Sequence, residues 1–152
     1  MAQSAVGGCQ CGDVRYAVAG PLARAYACHC RDCQKQSASA FSLSIPVERA
    51  KLRATGALSS FEKRAESGAT TTCFFCGACG SRLFHVSSRS PEVATLKVGS
   101  LDDTSEIYPA SHVWVSRKQP WVRLDPAIPS FDRQPADLAT WRRSLFPPIV
   151  ES

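Results

Sequence analysis

A chain of 152 residues with a formal charge of +5 and an ordinary apolar share of 44% has the length of one domain with its own core. It holds no run of about 18 apolar residues and no basic-then-apolar leader, which predicts a soluble, cytoplasmic protein without a membrane partner. Its eight cysteines then read as metal ligands rather than disulfides, because the cytosol keeps thiols reduced.

Residues 1 to 8 read as a frayed start. Cys9-Gln10-Cys11-Gly12 follows, a hook of two thiols with a glycine behind it. Val14, Tyr16 and Val18 then alternate with Arg15 and Ala17, as in a strand with one buried face. A short apolar run over 22–27 carries the chain into Cys28-His29-Cys30-Arg31-Asp32-Cys33. The stretch 34–39 lacks β-branched residues and fits a short helix or a turn. Phe41, Leu43, Ile45 and Val47 alternate as a strand, with Pro46 near its end or on an edge.

Further strands are predicted over 51–54, 58–63, 70–75, 82–87, 93–98 and 112–115, with Pro120-Trp121 opening another extended piece. Helical spacing arises only near the end. Leu138, Trp141 and Leu145 fall at i, i+3 and i+7, Pro135 suits the first helical position, and Pro147-Pro148 stops the helix. The predicted fold class is mainly β, with small antiparallel sheets assembled around metal sites and a short C-terminal helix. Residues 1–134 form the metal-binding domain, and 135–152 its helix and tail.

Cys76-Gly77-Ala78-Cys79-Gly80 is a zinc knuckle, in which two-residue spacing turns both sulfurs toward one ion and glycines allow the tight backbone. Its other two ligands come either from Cys9 and Cys11 or from a pair in the central cluster. Taking the hook is the more economical partition, because it leaves Cys28, Cys30 and Cys33 together as a trio. Four thiolates close a structural zinc, whereas three protein ligands leave a position for substrate. Cys73 is left over and reads as a small buried apolar residue; it and the histidines are the available fourth donors for the trio. Two zinc ions per chain are expected. Seven ligating thiolates on two dications would bring the formal charge of +5 down to +2, and the basic residues are scattered, so nucleic acid is not the expected partner.

The ordered set Cys9/Cys11, Cys28-His29-Cys30 with Cys33, Phe75-Cys76 with Cys79-Gly80, His112-Val113-Trp114 and Pro120-Trp121 resembles the glutathione-dependent formaldehyde-activating enzymes, a family that also includes centromere protein V. The resemblance runs from about Val6 to Phe131. It implies a mostly β fold of small sheets around zinc, a structural zinc on the first and third motifs, and a catalytic zinc on the second. The implied activity joins formaldehyde to glutathione as S-hydroxymethylglutathione, formally a carbon–sulfur lyase in reverse. Where the family often has a basic residue and then a glycine after the trio, this chain has Gln34 and Ala38.

Three thiolates on Zn²⁺ leave a charge of −1, which suits the site to presenting another sulfur rather than splitting water. The expected substrates are therefore a small thiol and a small aldehyde, with Cys28, Cys30 and Cys33 holding the catalytic metal. Arg31 and Lys35, or Arg117 and Lys118, are placed to meet substrate carboxylates. His29 is expected behind the metal or against substrate. His112, Trp114 and Trp121 either wall the pocket or belong to the core. Two rivals share these motifs: an enzyme of the same fold for another thiol or carbonyl adduct, and a zinc-held binding module without turnover.

Overall fold

The computed structural model describes residues 4–65 and 68–146. In chain order its main elements are β1 (Ala5–Gly8), β2 (Arg15–Val18), β3 (Ala25–Cys28), α1 (Arg31–Ser37), β4 (Ser42–Glu48), β5 (Leu52–Thr55), β6 (Leu58–Arg64), β7 (Thr70–Cys76), β8 (Arg82–Ser87), β9 (Val93–Lys97), β10 (Pro109–Val113) and α2 (Leu138–Leu145). The fold is mainly β, as expected. It divides into two compact units, Met1–Leu22 with Ile45–Glu106, and Ala23–Ser44 with Ile107–Ser152. No helix among the described residues is long and apolar enough to cross a membrane.

In the first unit, β1, β2 and β5 form an antiparallel sheet in the order β1-β2-β5. β2 follows its sequence alternation, with Tyr16 and Val18 buried and Arg15 exposed. β1 corrects the reading of residues 1 to 8 as frayed, since 5–8 pair with β2. Gly7 and Gly8 erase the apolar alternation that would have marked this strand, yet Gly7 is required there. A Cβ on it would run into the Ser100 carbonyl and the Tyr16 hydroxyl. A second set of strands in this unit runs from the latter half of β4 through β9, β8 and β7 to β6. Ile45, Leu83 and Leu96 bury almost completely at its core. Phe74 and Phe84 stack at 4.7 Å beneath the Arg49 guanidinium. The outermost strand, β6, carries exposed Lys63 and Arg64, charges that discourage edge pairing.

In the second unit β3 lies between β10 and the first half of β4. The β3–β4 pair is antiparallel, while β10 runs parallel to β3, an arrangement that requires a long crossover rather than a hairpin. Buried Trp141 and Leu145 of α2 face this unit's core. The Trp141 Nε1–H donates to Ser111 Oγ at 3.1 Å, and its ring meets Tyr26 edge-on at 4.8 Å.

Several local boundaries differ from the sequence expectation. α2 starts at Leu138, leaving Pro135 outside, because Asp137 makes the better cap: its Oδ1 accepts from the Thr140 N–H at 3.0 Å. The expected stop at Pro147-Pro148 lies outside the described residues; the helix ends at Leu145 with Phe146 extended. The strand expected over 112–115 stops at Val113, since Trp114 turns left-handed at φ 58° and ψ 38°. Pro120 and Trp121 lie in a turn rather than an extended piece. Helix α1 begins at Arg31, before the predicted stretch, for a reason that belongs to the cysteine trio.

Candidate functional site

The hook between β1 and β2 is tied by Cys9 N–H to the Val14 carbonyl at 3.0 Å and Gly12 N–H to the Cys9 carbonyl at 3.2 Å. The knuckle after β7 is held by Cys76 N–H to the Ser81 carbonyl at 3.0 Å and Gly80 N–H to the Cys76 carbonyl at 2.8 Å. Gly80 sits at φ 79°, where a side chain would be strained, and a Cβ on Gly77 would press on Ser59 Oγ at 2.6 Å. These two turns bring Cys9, Cys11, Cys76 and Cys79 together, with all four sulfurs within 4.8 Å of one another. Tetrahedral zinc with Zn–S bonds of about 2.3 Å implies sulfur–sulfur edges of about 3.8 Å. Cys9–Cys11 at 3.6 Å and Cys11–Cys76 at 3.8 Å match that tetrahedron, so this donor set fits zinc.

Ser81 is a contributor that the sequence reading missed. Its hydroxyl accepts from the Gln10 N–H at 3.0 Å, joining hook to knuckle, and lies 3.3 Å from Cys79 Sγ. That hydroxyl, helped by backbone N–H groups, brings the Cys79 thiol down to about 5, in favour of the ligating thiolate. Cys9 is lowered too, first by the Val14 N–H, which donates to its sulfur at 3.2 Å. The position directly after C-x2-C-G was the available signal for Ser81. Cys73 is buried in β7 and belongs to neither cysteine group.

The trio is built differently. Cys28 ends β3, Cys30 is the N-cap of α1, and Cys33 lies in the helix's first turn. The Cys30 sulfur accepts from the Cys33 N–H at 3.4 Å, so a thiol takes the place of the usual Ser or Asp cap, and the helix starts at Arg31. The three sulfurs lie within 4.8 Å of one another, and no further His, Cys, Asp or Glu donor among the described residues joins them. Three soft donors at this spacing fit three corners of a zinc tetrahedron. Hydrogen bonds from the Cys28 and Cys33 thiols, then from backbone N–H groups, lower Cys30 below an ordinary thiol, while Cys30, Cys33 and burial push Cys28 up.

His29 is not among the trio's donors and is fully buried, its Nε2 hydrogen-bonded to His112 Nδ1 at 3.0 Å. Burial, then the neighbouring His112 and Lys118, brings His29 down to about 4, and burial also lowers His112. The other expected contact residues separate from this pair. Arg31, Lys35 and Trp121 line an open cleft of about 470 Å³, together with Gln34, Ser39 and Gln119. Trp121 is 71% exposed and not part of the core. Trp114 instead donates to Gln134 Oε1 at 3.2 Å. Lys118 Nζ is engaged by the Val122 carbonyl at 2.9 Å and the Gln119 carbonyl at 3.3 Å, and Arg117 presents its backbone carbonyl to Gln34.

The family profile of the glutathione-dependent formaldehyde-activating enzymes matches residues 4–117, a span that includes both cysteine groups and α1. The chain belongs to that family. A crystal structure of a Rhodobacter sphaeroides protein shares the fold, with a TM-score of 0.52 and 23% identity over 67% of this chain and 96% of that one. No curated protein sequence matches the chain. The formaldehyde-activating family thus accounts for the mainly β architecture and for cysteine groups able to hold metal ions.

Proposed function

We propose that this protein is a zinc enzyme of the carbon–sulfur lyase type that joins a small thiol, such as glutathione, to a small aldehyde, such as formaldehyde. The observation that carries this reading is the trio Cys28, Cys30 and Cys33, three convergent thiols without a fourth side-chain donor among the described residues. A zinc ion held there would accept the substrate sulfur as a thiolate at neutral pH. Cys9, Cys11, Cys76 and Cys79 hold the structural zinc.

Arg31 and Lys35 give the cleft two cations, and no carboxylate among the described residues lines it. They receive the carboxylates of the thiol substrate and offset the negative charge of a thiolate-rich centre. Trp121 offers an exposed indole face to the same ligand. His29 and His112, being buried, position the backbone of the trio rather than touch substrate. The His29 N–H donates to the Val113 carbonyl at 3.0 Å, which fixes the peptide between Cys28 and Cys30.

In the reaction, the thiolate sulfur attacks the aldehyde carbon, a carbon–sulfur bond forms, and the carbonyl π pair moves to oxygen. Oxygen takes its proton from solvent, and no redox change occurs. Proximity and a deprotonated thiol supply the acceleration, with no general base required. Seven thiols kept reduced for metal binding favour a reducing compartment such as the cytoplasm.

The experiment is exchange spectroscopy on formaldehyde and glutathione, with and without metal-loaded protein. Faster exchange that disappears in Cys30→Ser is the expected result. An exchange rate unchanged by the protein removes this substrate pair.

A further inference from the structure

We infer that Gln34 is a positioning residue that links the Arg31/Trp121 cleft to the cysteine trio. Its side chain is 4% exposed, and the full hydrogen-bonding capacity of the amide is spent. Nε2 donates to the His29 carbonyl at 2.7 Å and to the Arg117 carbonyl at 2.9 Å. Oε1 accepts from Arg31 Nη1 at 2.6 Å and from Gln119 Nε2 at 3.2 Å. The orientation of the amide is therefore dictated by its partners: reversed, it would set its NH₂ against a guanidinium and its oxygen against two carbonyls.

The two ends of this amide serve different places. The His29 carbonyl lies between the ligands Cys28 and Cys30, so the nitrogen end fixes the backbone from which two of the three sulfurs project. The oxygen end fixes the Arg31 guanidinium in the cleft. It also reaches Trp121 through Gln119, whose Oε1 accepts from the Trp121 Nε1–H at 2.7 Å. An anion that pulls on Arg31 or Trp121 acts on the amide that holds the His29 carbonyl. Outer partners of this kind commonly set metal affinity and ligand geometry.

The inference rests on the reading of the trio as a metal site, and the test separates the two. The full chain is loaded with Co²⁺, whose visible spectrum reports thiolate geometry, and metal equivalents and affinity are measured alongside glutathione binding by Trp121 fluorescence. Gln34→Glu keeps the oxygen end and removes both N–H donors. It is expected to weaken metal at the trio by about 10- to 100-fold and to shift its Co²⁺ spectrum, while the four-cysteine site keeps its equivalent. Arg31→Ala leaves Gln34 on its two carbonyls but frees its oxygen end, and is expected to weaken glutathione by about tenfold and to shift the Co²⁺ spectrum in the same direction by less.

Gln119→Ala removes one neutral contact from Oε1 without burying charge; it is expected to shift the spectrum in the same direction by less, and it decides the matter if Gln34→Glu does not fold. Wild-type spectra and affinities in both Gln34→Glu and Gln119→Ala overturn the inference and leave the metal site standing. A wild-type protein that loads a single equivalent overturns both.

Discussion

Cys76→Ser and Cys33→Ser each remove one candidate ligand, the first from the four-cysteine group and the second from the trio. Both thiols are buried, so the packing lost is comparable. What differs is the length of chain each group ties down. Cys11 and Cys76 are 65 positions apart, whereas the trio runs only from Cys28 to Cys33. Cross-linking a loop of the longer kind withdraws about 4 kcal/mol of chain entropy from the unfolded state, against about 2 kcal/mol for the shorter.

That difference of about 2 kcal/mol corresponds to about 4–8 °C in a chain of this size. Calorimetry on zinc-loaded protein, with elemental analysis of the same samples, reads both quantities. Each variant is expected to fall from two zinc ions to one, with Cys76→Ser melting lower. Equal melting points, or a lower one for Cys33→Ser, would refute the division into a staple and a local clip. So would loss of both ions in either variant.

Two further predictions concern single residues. Ala38 closes α1 at φ 50° and ψ 40°, a left-handed conformation costing a non-glycine residue about 1–2 kcal/mol, while glycine loses about 0.5–1 kcal/mol more chain entropy on folding; Ala38→Gly should therefore stabilise by about 0.5–1 kcal/mol in urea titrations, and destabilisation would contradict the strain argument. Burial pushes the Tyr16 hydroxyl up to about 12, above the ordinary tyrosine value of about 10. Its contribution to stability is thus complete below about pH 10 and declines as pH rises toward 12, and Tyr16→Phe should flatten that limb of a stability–pH curve.

The strands with clean alternation were legible in the sequence. β2 matches its predicted pattern because one face meets a core and the other does not. β1 was not legible, since its pairing is set by how closely Gly7 approaches Tyr16 and Ser100, and a glycine carries no apolar signal. The two cysteine groups were legible from spacing, because a C-x-C or C-x2-C pair constrains where two sulfurs can point. Their supporting atoms were not. Ser81 and Gln34 contribute through their side-chain hydrogen bonds, and nothing in composition or periodicity distinguishes them from surface polar residues.

The trio and α1 depend on each other. A helix of 7 residues is too short to persist on its own propensity, because nucleation is costly and few hydrogen bonds follow it. Cys30 is both a candidate ligand and the residue whose sulfur caps the first turn, so a cation that favours its thiolate also strengthens the cap. At the other end the chain leaves the helix through a left-handed alanine, where glycine would be the relaxed choice. Between these ends Gln34 fastens the helix to the carbonyls of His29 and Arg117. If the trio holds a metal ion as proposed, metal binding there and folding of α1 are one coupled step. The cleft residues Arg31 and Lys35 stand on that helix, so the same step would align them toward the proposed substrate.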